Sequence, residues 1–228
     1  MNTLSDYIEQ YGLLSLEKQD KLMLLVGEHM HEIDLENGKI RFDDVEFPFQ
    51  ALGTESDNTL TWLWAWADEQ AEVSEDLLDA ARQMRDWGKR EGLREFVVPG
   101  VDLDKADGLA FSLIAGEVCK ASCFYRDAYE GGSLFVLLFD NDIDRQPPFD
   151  IARLSRQYAY LISRYDLDHR NALLSYLNAK GLSPLSHGSQ ITGKLETGEL
   201  LSAEFDKAGR LMSLNGEAVD GESIVTRT

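Results

Sequence analysis

Residues 134–139, Leu-Phe-Val-Leu-Leu-Phe, are apolar at every position, so a strand formed here must be covered on both faces. The run is strand-sized, and Gly131-Gly132 precedes it, so the spacing predicts a hairpin with residues 121–128. The second strand of that hairpin then lies centrally in a sheet beneath a layer of helices. Other segments fit such a sheet. Ile33 and Leu35, then Ile40 and Phe42, flank residues 36–39, and Asn37-Gly38 is the dipeptide preferred by two-residue hairpin turns. Residues 47–54 form a further apolar segment, followed by a polar turn at 55–58. Beyond it, Trp62, Trp64 and Trp66 alternate with Leu60 beside them, which predicts one face of a strand. Ala65 and Ala67 on the other face leave room for a helix.

Helical spacing governs the rest. Leu4, Ile8 and Tyr11, then Leu22, Leu25 and Val26, predict helix through most of the first thirty residues. Ser74 reads as the cap of a helix carrying Leu77, Leu78, Ala81 and Met84, closed by Lys89 and Arg90 and ended by Gly92. A short strand is expected at 95–98, then a helix with Ala106, Ala110, Leu113 and Ile114 inside, capped by Asp102 or Asp104. After Pro147-Pro148, apolar residues from Ile151 to Tyr165 repeat at helical spacing, and a further helix covers about 168–180 before Gly181. The remainder alternates and is cut by Gly198 and Gly209, predicting two or three small strands. The fold class is therefore α+β: mainly antiparallel hairpins packed against helices, with a smaller C-terminal subdomain of two helices and a small sheet. The boundary falls between residues 1–146 and 147–228.

Charge divides the chain at nearly the same place. The formal charge of the 228 residues is −19. Residues 1–150 hold 32 acids and 13 bases, and residues 151–228 hold nine of each. Such an acidic chain is a poor ligand for nucleic acid or anionic membrane, which are bound by Lys and Arg. It suits a basic protein partner drawn in by a long-range, salt-sensitive field. Cys119 and Cys123 alone make neither a disulfide framework nor a four-ligand zinc site. A start without a basic, apolar leader and the absence of any membrane-length apolar run predict a cytoplasmic protein.

Motifs for catalysis are missing: no G-x-S-x-G, P-loop, G-x-G-x-x-G or H-E-x-x-H occurs. Asp140, Asp142 and Asp144 open like a calcium loop, but Arg145 and Ile151 stand where such a loop needs Gly and Glu. No metal or other cofactor is expected. Asp102, Asp104 and Asp107, with Asp140, Asp142 and Asp144, are the candidate contacts for a basic partner. Trp62, Trp64 and Trp66 are read first as core and alternatively as a stacking platform. His29 and His31 are read as surface residues. Arg153, Arg156 and Arg164 give the 151–165 helix a basic side.

The runs Phe49-Gln50-Ala51-Leu52-Gly53-Thr54 and Thr61-Trp62-Leu63-Trp64-Ala65-Trp66-Ala67, with Trp87-Gly88, resemble the signature of an uncharacterised family of small bacterial proteins over about residues 40–140. That resemblance implies an α+β fold and a bacterial source, and brings no activity with it. The general character, small and acidic and without catalytic signals, is similar to that of immunity proteins that neutralise secreted antibacterial toxins. The functional expectation is such a non-catalytic protein, acting on a basic nuclease toxin of a type VI secretion system by occluding its cleft or preventing its assembly. The alternatives are a module binding a ligand or peptide on a Trp-lined sheet, and a metal-assisted enzyme using residues 140–144.

Overall fold

Fifteen residues of unbroken helical pattern are enough for a stable amphipathic helix once one stripe is buried. In a computed structural model describing residues 2–27, 30–68, 73–217 and 223–227, the opening segment forms one such helix, α1 (Leu4–Val26), with Tyr7, Ile8, Leu13, Leu16 and Leu22 buried. The chain divides into two compact units. The first holds Met1–Thr3 and Lys18–Gln146, the second Leu4–Glu17 and Pro147–Thr228. The first part of α1 therefore groups with the C-terminal unit, a non-local association that the expected 1–146 and 147–228 division did not contain. The fold is α+β with antiparallel sheets.

The first unit contains β1 (His31–Asp34), β2 (Lys39–Phe42), β3 (Val45–Ser56), β4 (Thr61–Trp64), α2 (Asp79–Glu91), β5 (Gly100–Asp102), α3 (Gly108–Val118), β6 (Cys123–Tyr129), β7 (Gly132–Leu138) and the single turn α4 (Asn141–Asp144). Its sheet runs β1-β2-β3-β4-β5, with β7 paired to both β3 and β6. Cover on both faces is met at the centre of the run: β7 is flanked on both edges and Phe135, Val136, Leu137 and Leu138 are buried, while Leu134 and Phe139 at its ends are partly exposed.

The segment 49–54 shows why its residue types are needed. Gln50 lies at the start of α2, where Oε1 accepts the Asp79 and Ala80 amides (3.1 and 3.4 Å) and Nε2 donates to the Asp76 carbonyl (3.0 Å). It satisfies helix-terminal groups that Leu78, with no side-chain cap, leaves open. Leu52 is an extra residue against β7, a bulge that turns the following residue to the opposite face. That residue is Gly53, and a Cβ there would sit 2.4 Å from the Trp62 ring and 2.5 Å from the Leu63 carbonyl. Trp62 and Trp64 pack with Phe96, Phe111 and Phe135 beneath α3, fully buried.

Several expectations are corrected. The β1–β2 connection is four residues, 35–38, because Asp34 pairs with Lys39 and the Asp34 carboxylate gathers the amides of Glu36 and Asn37 (3.1 and 3.0 Å). Trp66 leaves the strand in a 3-10 turn, Ala65–Ala67, and its ring is covered by the Arg85 guanidinium at 4.8 Å. Residues 95–98 are not a strand: Arg94–Phe96 is a 3-10 turn that drops Phe96 between Trp64, Trp87 and Phe111. Ser74 precedes a separate 3-10 turn, Glu75–Leu77, rather than α2 itself.

The second unit adds α5 (Ile151–Arg164), α6 (His169–Ala179) and a five-stranded antiparallel sheet. Its strands, β8 (Leu185–His187), β9 (Gln190–Lys194), β10 (Leu200–Phe205), β11 (Leu211–Glu217) and β12 (Ser223–Arg227), pair in sequence order. Five strands replace the two or three expected. Asp150 caps α5 through the Arg153 amide (2.8 Å), and Asp168 caps α6 through Asn171 (2.9 Å). Glu17 of α1 is buried here, accepting from the Tyr176 hydroxyl and pairing with Lys180 (2.8 Å).

Candidate functional site

Strand register decides which acidic residues can act together. Tyr129 pairs with Gly132, Gly132 with Ser56, Ser56 with Thr61, and Thr61 with Asp102. These five positions form one row across β6, β7, β3, β4 and β5, all at the same end of the sheet. Three connections meet beyond that row: the β6–β7 turn, the β3–β4 turn and the β5–α3 loop. The Asp57 amide donates to the Gly131 carbonyl (3.0 Å), and the Leu103 amide to the Leu60 carbonyl (2.9 Å), so the connections are stitched side by side.

Asp102, Asp104 and Asp107 belong to this end, but each does something different. Asp102 forms an ion pair with Lys105 (2.7 Å), and this carboxylate holds the ammonium above its ordinary range. Asp107 caps α3 by accepting the Ala110 amide (2.8 Å), so the cap falls on Asp107 and not on Asp102 or Asp104. Asp104 is exposed. Asp140, Asp142 and Asp144 follow the other end of β7. At about 3.3 Å per residue the seven residues of β7 put the two acidic segments roughly 20 Å apart. They form two separate surfaces.

Around residues 140–144 the carboxylates are used locally. Asp140 accepts the Asp142 amide (2.7 Å), Asp142 pairs with Arg145 (2.7 Å), and Asp144 accepts from the Ser122 hydroxyl (3.0 Å). Ser122 in turn accepts the Asp140 amide (2.9 Å). The segment closes the end of the β6–β7 hairpin. Among the described residues no group of three or more His, Cys, Asp or Glu side chains is arranged to hold a metal ion.

The Trp62 and Trp64 rings offer no face to solvent. Trp64 Nε1 donates to the Glu95 carbonyl (2.9 Å), and Trp62 Nε1 is buried without a partner. His29 lies outside the described residues. His31 is held between Asp127 (Nε2 to Oδ1, 2.7 Å) and the Tyr125 hydroxyl (3.2 Å), with its ring against Phe42. Arg153 is turned back on its own helix start, binding Asp150 and the Pro148 carbonyl.

Two apolar side chains at the turn end stand out that sequence reasoning did not select. Leu60 was expected on the Trp strand; it lies in the β3–β4 turn with φ +53° and 64% of its surface exposed. Tyr129 is 51% exposed, and burial, helped by Asp57, Asp68 and Asp127, raises its phenol above the usual value. The available signal was local: each follows or precedes a polar turn where strand alternation stops.

Among the described residues no helix is long and apolar enough to cross a membrane. No curated protein and no solved structure matches the chain. A family model does match residues 5–142, from the start of α1 into α4, and the chain thus belongs to a family of unknown function, DUF6882.

Proposed function

We propose that this chain is a non-catalytic immunity protein whose acidic first unit binds a cognate basic toxin, a type VI-secreted nuclease, and blocks its cleft or its assembly. The observation that carries this reading is how the charge is distributed between the compact units. The first unit holds 28 acids against 13 bases, a net of −15, and the second holds 13 against nine, a net of −4. Among the described residues at least eight of those thirteen bases are in ion pairs with carboxylates of the same unit. The surplus acid has few internal cations left to meet, so its field reaches solvent. A nuclease cleft must be basic to hold phosphate, and an acidic partner competes for it by electrostatic complementarity without chemistry of its own.

The test is a pull-down of the tagged chain from its native lysate at low and high salt, followed by a nuclease assay on what is captured. One stoichiometric basic protein, released by salt and silenced at one equivalent of the chain, is the expected result. A clean lane at both salts, or a captured protein whose activity is unchanged, overturns the reading.

A further inference from the structure

We infer that the turn end of the first unit's sheet, with Leu60 and Tyr129 as apolar anchors, is the surface that docks a basic protein. The inference rests on the partner reading above and adds where the partner sits. Leu60 is in the β3–β4 turn and Tyr129 ends β6 at the adjoining β6–β7 turn, the two turns being tied by the Asp57–Gly131 hydrogen bond and by the pairing of Ser56 and Tyr129 to the same Gly132. Both are large, both are more than half exposed, and they lie at one end of a sheet whose other aromatics are mostly buried. Carboxylates lie on the same turns and loop. Asp57 and Glu130 flank the two turns and Asp104 lies on the adjoining loop, and none of the three is in an ion pair among the described residues.

Two exposed apolar anchors about 14 Å apart across the strand row, with unpaired carboxylates on the same turns and loop, fit one kind of occupant: a protein surface that offers apolar recesses flanked by Lys and Arg. Buried apolar and aromatic anchors supply most of the energy of such contacts, and a surrounding rim excludes water and sets the charge preference. The Tyr129 ring can in addition receive a cationic head on its face. The opposite end of the sheet lacks this combination, because its acids already bind Arg145, Ser122 and backbone amides.

The experiment is an NMR titration of the labelled full-length chain with a lysine octamer, using a glutamate octamer as control. Amide shifts are expected to concentrate at 57–60, 102–104 and 129–131, to vanish near 0.5 M salt, and to weaken several-fold in Tyr129→Ser. Shifts spread evenly over the acidic unit, or centred on 140–145, overturn the surface. In the pull-down, Leu60→Ser with Tyr129→Ser, first shown to keep native amide dispersion, should weaken capture of the basic partner about tenfold or more. Undiminished capture overturns the surface and leaves the partner reading standing. If wild type captures no basic partner while the octamer still maps to the turn end, the partner reading fails and the cation-docking surface remains.

Discussion

Glu55 and Asp107 share the N-terminus of α3: Glu55 Oε1 accepts the Gly108 amide at 2.6 Å, and Asp107 Oδ1 accepts the Ala110 amide at 2.8 Å. One carboxylate comes from the turn-side end of β3 (Val45–Ser56) and the other from the residue before the helix. Together they anchor α3 over the sheet with two of its open amides satisfied and two negative charges at its positive end.

Removing either carboxylate should loosen the helix by different amounts. Asp107→Ala loses an ordinary cap, about 1 kcal/mol. Glu55→Ala leaves the buried Gly108 amide without its acceptor, about 1–3 kcal/mol. Glu55→Gln keeps an acceptor oxygen and should lose less than Glu55→Ala. Urea unfolding followed by far-UV circular dichroism checks the order; equal losses for Glu55→Ala and Glu55→Gln would show that the oxygen does not matter.

Trp62 is the side chain on which the core of the first unit depends most. It is fully buried among Trp64, Phe111 and Phe135, and Gly53 lies against its ring. Trp62→Ala should cost about 3–5 kcal/mol. Gly53→Ala should also destabilise, because its Cβ meets both the indole and a backbone carbonyl. In the native protein, acrylamide should quench Trp62 and Trp64 poorly; strong quenching of a Trp66→Phe, Trp87→Phe variant would contradict their burial.

The cysteines should be inert until the chain opens. Burial pushes the Cys119 thiol up to about 12 and the Cys123 thiol further, with Asp144 adding to the rise at Cys123. At pH 8 almost no thiolate is present, so alkylation by iodoacetamide should be at least about a hundredfold slower than in urea. Rapid labelling of either residue in the folded protein, read by peptide mass spectrometry, would refute this.

What could be read from the sequence was whatever local pattern decides. The apolar run 134–139 demanded cover on both faces and falls in β7 as far as Leu138, and Gly92, with φ +75°, ends α2 where it was expected to. Patterns failed where one residue obeys a distant partner. Phe96 is apolar in a short apolar stretch and mimics a strand, yet it is a single anchor dropped among three aromatic rings from other segments. The Trp alternation continues to Trp66 in sequence, but the chain turns after Trp64, whose amide binds the Pro99 carbonyl (3.0 Å). The candidate acids were legible as acids only. That Asp107 and Asp140 are caps is a local choice among neighbouring acids that the pattern alone does not resolve, whereas Asp144 meeting Ser122 follows from tertiary pairing.

His169 should make stability depend on pH in a definite direction. Its Nδ1 accepts the Leu211 amide at 3.0 Å, so the hydrogen bond needs that nitrogen unprotonated. Burial lowers the imidazole below its ordinary value and Arg210 adds to this, while Asp168, Asp206 and Asp166 oppose it. Above about pH 6.5 the imidazole is neutral in folded and unfolded chains alike, and its contribution to stability is fully present. As pH falls below 6.5 the unfolded chain takes up the proton first, and stability declines until the folded imidazole titrates too. The Hε1 resonance of His169 should therefore titrate with a midpoint below 6.5. Replacing the ring by His169→Asn should cost about 1 kcal/mol at pH 7.5 and remove this part of the acid-side slope. Urea midpoints of wild type and variant between pH 4.5 and 7.5 measure the difference, with the carboxylates common to both cancelling. A gap between the two that stays constant across that range would mean that the Leu211 hydrogen bond does not depend on the protonation of His169.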